Sequence, residues 1–301
     1  MENSEYIIAL LQQHKILVTA NLVHYKDDFI FQKEMDKLID VVCDDKEAFN
    51  FYSLNYHEAL NEGRTGNIQK AEMLITRAKK YIDCDSLQPE EKDLYDLISI
   101  PIQAFISYKK SDYSLAKQQT YETMLLDEKL EQYNASVSYH KIQQLHNISR
   151  IEMKEQNAEN VCKIFNLLYR SLLLSEKVRY RDIEFCYEDH SESLKKLRKL
   201  MLAQITNEYI PFLDQCGNKE EVLDRTFDEV LQKQSAVHDD LKSFVYWVQL
   251  KKNSINRQEW NIDLLQQFIA GSADYTSVTA IDSLYNDIKR TFSTEINADS
   301  T

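Results

Sequence analysis

The chain has 301 residues, 43% of them hydrophobic and 28% charged, so it carries enough apolar surface for a continuous core and does not read as disordered. Only four glycines and three prolines leave too few turn-formers for a protein of many strands and tight hairpins, which selects long helices. The net charge of −13 argues against general affinity for nucleic-acid phosphates or anionic membrane, because that affinity comes from excess lysine and arginine.

Residues 1–45 read as N-terminal helices, with Ile7, Leu10, Leu11 and Leu17, then Phe31, Met35, Leu38, Val41 and Val42 at helical spacing. The start, Met1-Glu2-Asn3-Ser4-Glu5 followed by an amphipathic segment with Gln12, Gln13 and His14, lacks the basic residues and apolar run of a signal peptide. No glycine-centred turn of the helix-turn-helix kind occurs here, which disfavours DNA binding. No stretch approaches the roughly 18 apolar residues needed to cross a bilayer. Five cysteines, Cys43, Cys84, Cys162, Cys186 and Cys216, form no CxxC pair and fit a reducing compartment, so a cytoplasmic protein without membrane contact is expected.

Residues 46–240 read as helical hairpins joined at short links: Cys43 to Lys46, Arg64 to Asn67, Cys84 to Glu90, Lys109 to Asp112, Glu155 to Ala158 and Cys216 to Lys219. Asp85-Ser86-Leu87-Gln88-Pro89-Glu90-Glu91 has the proline and carboxylates of a helix start. A faint repeat emerges when the links are aligned. Gly66-Asn67-Ile68-Gln69-Lys70-Ala71 is echoed by Ser111-Asp112-Tyr113-Ser114-Leu115-Ala116, by Gln156-Asn157-Ala158-Glu159-Asn160-Val161 and, more distantly, by Gly217-Asn218-Lys219-Glu220-Glu221-Val222. The closing residues stand at 71, 116, 161 and 222, so two intervals of 45 residues precede one that is 16 longer.

These turns, with Ala71, Ile75 and Ala78 in the first copy and Val161, Phe165 and Leu168 in the third, resemble the second helices of tetratricopeptide repeat proteins over about residues 45–235. The first helices depart from that family. Counting back from Gly66 puts Asn55, Glu58 and Glu62 where apolar residues belong, whereas an inner stripe of Tyr52, Tyr56 and Ala59 makes Gly63 the turn. The period also exceeds the family's, which is about 34 residues. The resemblance implies an all-α fold of stacked antiparallel helical hairpins, a solenoid.

Residues 241–292 read as C-terminal capping helices: one with Leu241, Phe244, Val245, Trp247 and Val248, one with Leu264, Leu265, Phe268 and Ile269 ending at Gly271, and a last from Asp282 to Phe292. Residues 293–301 are expected to form a disordered tail.

No motif specifies a reaction. None of the seven histidines has a glutamate three residues before it, as di-metal helical bundles require. Glu184, Glu188, Asp189, His190 and Glu192 read as a solvated helix face with Glu184 and Glu188 one turn apart, His238-Asp239-Asp240 as a helix start, and Lys195-Lys196-Leu197-Arg198-Lys199 as a solvated basic face. Cys162 and Cys186 fall at apolar helix positions and read as structural thiols. No glycine-rich phosphate loop exists, and no cofactor, metal ligand set or catalytic residue is assigned.

The expected function is therefore binding: a scaffold or regulatory protein that holds a peptide or protein partner on a concave helical surface. An all-α enzyme whose site is assembled from distant residues is the alternative. Eighteen tyrosines supply rings that bury while their hydroxyls bond. The family's pattern implies a groove with Tyr56, Phe105, Tyr108, Gln143, His146 and Arg150 facing the partner, where amide and guanidinium groups clamp a peptide backbone or carboxylate.

Overall fold

The computed structural model describes residues 2–22, 27–256, 260–271 and 278–298. Among these, thirteen α-helices and one two-stranded hairpin make the chain all-helical in class, as its composition predicts. No described helix is long and apolar enough to cross a membrane. The helices divide between two compact units, Asp27–Ile164 with Lys177–Leu194, and Met1–Lys26 with Phe165–Glu176 and Lys195–Thr301.

The first unit begins with α2 (Asp27–Val42), α3 (Lys46–Arg64), α4 (Ile68–Ala78), α5 (Pro89–Lys109), α6 (Tyr113–Leu130) and α7 (Val137–Lys154), and takes in the first turns of α8 (Ala158–Leu174). Helices α3 and α4, and α5 and α6, pack as hairpins, and α5 also lies against α3. Tyr52, Tyr56 and Tyr95 fill the core between α3 and α5, with the Tyr52 and Tyr95 rings stacked 4.5 Å apart. Burial pushes the Tyr56 hydroxyl up to about 12. Helix α5 starts where the sequence places it. Glu91 returns its carboxylate to the Gln88 N–H at 3.0 Å and accepts from the Asp44 N–H at 2.9 Å, so one buried side chain caps α5 and ties it to the α2–α3 link.

The three links at 66, 111 and 156 have one backbone geometry. Gly66, Ser111 and Gln156 all adopt left-handed φ, at 88°, 63° and 57°. The next N–H reaches back five residues each time: Asn67 to Glu62 O at 2.9 Å, Asp112 to Ser107 O at 2.9 Å, and Asn157 to Glu152 O at 3.0 Å. This is a Schellman closure whose last residue is also the N-cap of the following helix. The carbonyls of Asn67, Asp112 and Asn157 then accept from Ala71, Ala116 and Val161, all three fully buried. The fourth sequence copy differs: Asn218 caps its helix, but Gly217 is not left-handed and Val222 is only half-buried. Glycine tolerates the left-handed region and a side chain does not. Ser111→Gly and Gln156→Gly are therefore expected to stabilise the chain by about 1 kcal/mol each, read as a higher urea midpoint, and Gly66→Ala to lower it by a similar amount.

A feature absent from the sequence-level expectation lies between α8 and α9. Strands β1 (Val178–Tyr180) and β2 (Ile183–Phe185) pair antiparallel, with Val178 opposite Phe185 and Tyr180 opposite Ile183. Their alternation buries Val178, Ile183 and Phe185. The Arg181 guanidinium lies 4.8 Å over the Tyr121 ring of α6, and the Tyr121 hydroxyl donates to Asp182. Glu184 and Glu188 thus share no helix face: Glu184 belongs to β2, pairs with Lys177 at 2.9 Å, and Glu188 and Cys186 follow in extended chain.

The second unit contains α1 (Glu2–Leu22), the remainder of α8, most of α9 (Glu192–Gln215), and α10 (Lys219–Gln232), α11 (Lys242–Ile255), α12 (Ile262–Gly271) and α13 (Val278–Ala298). Residues 1–45 hold two helices, which belong to different compact units. Helix α1 buries Ile7, Leu11, His14 and Val18 and packs against α12 and α13, whereas α2 packs against α3 and α5. Lys15 reaches Asp282 at 2.6 Å, and the His14 ring meets Phe268 edge-on at 6.1 Å. Local periodicity defines a helix's buried stripe but not the distant helix that covers it.

The C-terminal helices are as apolar as predicted. Phe165, Tyr169, Tyr209, Phe227 and Trp247 form a run of ring contacts, ending where Trp247 donates to the Ala280 carbonyl at 3.2 Å. Helix α13 runs through Ala298, so residues 293–298 are helical rather than a disordered tail, and residues 299–301 lie outside the described set.

Candidate functional site

Helix α7 carries an unusual density of buried polar side chains. His140, Gln144, Asn147 and Arg150 recur at steps of four, three and three, which places them along one side of the helix. They are joined in sequence by hydrogen bonds: Arg150 Nη1 to Asn147 Oδ1 at 2.7 Å, Asn147 Nδ2 to Gln144 Oε1 at 3.1 Å, and Gln144 Nε2 to His140 Nε2 at 2.9 Å. His140 Nδ1 then meets Asp127 Oδ1 of α6 at 2.8 Å.

The guanidinium sets the direction of this chain. Arginine only donates, so Asn147 accepts through oxygen and donates through nitrogen, and Gln144 does the same. His140 Nε2 is then an acceptor, and the ring proton sits on Nδ1 and is donated to Asp127. Asp127 is fully buried, and its Oδ2 has no hydrogen-bond partner among the described residues. Burial raises this carboxyl above the ordinary carboxylate range, with His140 and Lys141 acting in the opposite sense.

Beside this chain, Lys141 is buried, pairs with Glu131 at 2.5 Å and lies 5.7 Å over the Phe185 ring. It lines a cavity of about 280 Å³ with Glu131, Ser138, Glu184, Cys186 and Glu188. In the other unit, a more open cavity of about 560 Å³ is lined by Asn166, Asn218, Glu221, Asp224, Arg225 and Asp228, and Lys252 bridges Asp224 and Asp228 at 2.5 and 3.2 Å. Among the described residues, no three His, Cys, Asp or Glu side chains are placed to hold a metal ion.

The sequence-derived groove residues separate into two groups. Tyr56 and His146 are fully buried and cannot touch a partner from where they stand. Phe105, Tyr108, Gln143 and Arg150 are half-buried. Phe105 packs on Gly63, where an added Cβ would stand 3.0 Å from its ring, so that glycine permits the close approach of α3 and α5. Tyr108 lies near Tyr113, with ring centroids 5.9 Å apart.

The other singled-out residues also find places. His238 precedes a short 3-10 turn begun by Asp239 and Asp240, which pair with Lys242 at 2.6 Å and Lys199 at 2.9 Å. The basic stretch is not wholly a solvated face: Lys195 and Lys196 are exposed, but Arg198 is buried and bonds Ser175 at 2.9 Å. Cys43, Cys84 and Cys216 are free thiols, and burial pushes Cys43 up to about 12 and raises Cys186 and Cys216. Raised thiols are poor nucleophiles at neutral pH.

Sequence reasoning missed Asp127, Gln144, Asn147 and Lys141. The periodicity of α7 contained a signal for His140, Gln144, Asn147 and Arg150, but Asp127 is brought in by the α6–α7 packing. Comparison with models of known families, with characterised proteins and with solved structures finds no match.

Proposed function

We propose that the chain is an interaction protein, a scaffold or regulator whose helical hairpins hold a peptide or protein partner. The observation that supports this reading is the threefold recurrence of one turn, at 66, 111 and 156, with the same left-handed residue, the same Schellman closure and the same buried residue four positions after the cap. Regular recurrence of a hairpin is how tetratricopeptide-like arrays present successive first helices to a ligand. In this reading α3, α5 and α7 form the binding surface, and Phe105, Tyr108, Gln143 and Arg150 are its contact residues. Five widely spaced cysteines with no CxxC pair support a reducing compartment, the cytoplasm.

The reading is tested by purifying the full chain from its native cell and identifying what comes with it by mass spectrometry, after cross-linking. A single protein or peptide retained in near-equal amount and cross-linked to Lys109 or Lys154 is expected. Recovery of a tightly held metal or small cofactor with no protein partner would contradict it and favour the enzyme alternative.

A further inference from the structure

The α3–α4 hairpin exposes an apolar face that its own helices leave uncovered. Leu54 is 56% exposed, Met73 70% and Tyr81 46%. Phe51, one turn before Leu54, is half-buried, and its ring lies 4.2 Å from that of Tyr81. The Arg77 guanidinium stands 5.9 Å from the Phe51 ring centre, beside the Tyr81 phenol. Scattered single apolar residues on a surface need no explanation, but here two aromatic rings and an arginine are in mutual contact, with Leu54 one turn from Phe51 and Met73 one turn from Arg77. Aromatic residues, arginine and methionine are the types enriched where proteins bind proteins.

The α4 side of this face is basic in a chain of net charge −13: between residues 68 and 82 stand Lys70, Arg77, Lys79 and Lys80 against Glu72 alone. On the α3 side exposed Glu47 and Glu58 flank Phe51 and Leu54, and Glu58 acts on Arg77. Glu72 is neutralised by Lys110 at 2.5 Å, and Lys70 is taken by Glu62 at 2.5 Å. Among the described residues, Lys79 and Lys80 stand in no ion pair, and both are exposed. The face therefore offers apolar contact edged by positive charge along α4 and just past its end, at Arg77, Lys79 and Lys80.

We propose that this face, built on Phe51, Leu54, Met73, Arg77 and Tyr81, docks an acidic amphipathic segment of a partner protein, a proposal that rests on the interaction reading above. The partner's apolar side chains cover Phe51, Leu54 and Met73, while its carboxylates meet Arg77 and Lys80. The mutual contacts of Phe51, Arg77 and Tyr81 already hold these side chains in place, so less side-chain freedom is lost when the partner binds. An overall acidic chain disfavours an acidic segment over most of its surface, so a basic patch of this kind draws the segment toward it.

The test uses the full chain and three fluorescent synthetic peptides that share leucine and phenylalanine at helical spacing and carry glutamate, glutamine or lysine at all other positions. Fluorescence anisotropy should show the glutamate peptide binding at least about tenfold tighter than the glutamine peptide, with affinity falling as salt rises and no binding of the lysine peptide. Leu54→Asp and Arg77→Glu, both at exposed positions and checked for unchanged circular dichroism, should each abolish binding of the glutamate peptide, and Arg77→Glu should admit the lysine peptide.

Equal binding of all three peptides, no binding of any, or unchanged binding to the variants overturns the proposal. So does concentration-dependent self-association lost in Leu54→Asp, which would assign the face to a second copy. Binding of a DNA or RNA oligonucleotide lost in Arg77→Glu would overturn it in favour of nucleic acid. If a partner recovered from the cell still binds the Leu54→Asp and Arg77→Glu variants, this face is not its site, while the interaction reading stands.

Discussion

Replacing His140 with alanine is expected to destabilise the protein by about 3–5 kcal/mol, because it removes the hydrogen-bond partner of a fully buried carboxylate and leaves Asp127 uncompensated. Urea unfolding followed by circular dichroism reads this directly. The pair Asp127→Leu with His140→Leu should recover part of the loss, since no buried charge then remains, although the buried Gln144 Nε2 loses its His140 acceptor. Such recovery separates an uncompensated carboxylate from a simple packing defect, which the double variant would deepen.

The same site sets a pH dependence with a definite sign. Burial raises the Asp127 carboxyl in the folded chain above its unfolded value. Between these two values the folded state binds the proton and the unfolded state does not, so its contribution to stability is present below the unfolded value and is lost as pH rises through the folded one. Asp127→Asn keeps an oxygen to accept from His140 Nδ1 and removes the ionisation. Its urea midpoint should therefore decline less than that of the parent chain as pH rises from about 4.

A comparable effect is expected at Lys251→Met. Lys251 is 2% exposed and its ammonium group donates to Asp287 at 2.5 Å and to Ser283 at 2.7 Å, holding α13 on α11. Removing the lysine takes the buried ammonium contact away from the Asp287 carboxylate, at a cost of about 3 kcal/mol. Lys251→Met with Asp287→Leu should restore much of this. A single variant as stable as the parent would show that water replaces the lysine at Asp287, and that α13 is not held by the pair.

What was legible in the sequence follows from how local the interactions are. The turns at Gly66, Ser111 and Gln156 were visible because the residues that close each one lie within five positions, so spacing alone reveals them. The start of α5 was visible for the same reason, in Gln88, Pro89 and Glu91. The union of α1 with α13 was not, since Lys15 and Asp282 are separated by 267 positions. The β1–β2 hairpin escaped because three-residue strands carry almost no period, and Glu184 and Glu188 fit a helix spacing equally well.

The candidate site was half legible. Arg150 and Gln143 were both chosen as partner-facing groups of α7 and both are half-buried, whereas the hydrogen-bonded run passes through Arg150 and Gln144, the latter one position and so about 100° around the helix from Gln143. Tyr56 and His146 were assigned outward on the tetratricopeptide register of the first helices, and both face the core. That register failed where the family pattern already departed from the chain, at Asn55, Glu58 and Glu62. Of these, Asn55 is buried and bonds the Phe51 carbonyl of its own helix at 2.8 Å.

These observations separate stability from recognition. The Asp127–His140 contact and the Lys251–Asp287 pair are sealed inside their units and act on folding, whereas Leu54, Arg77 and Tyr81 are exposed and, in the proposed reading, meet a partner. Hydrogen–deuterium exchange of the full chain, with and without the protein that co-purifies with it, tests the interaction reading most directly. Slower exchange on binding, confined to helices α3 to α7, is the predicted result. Protection absent from those helices and confined to α10 to α13 would contradict it.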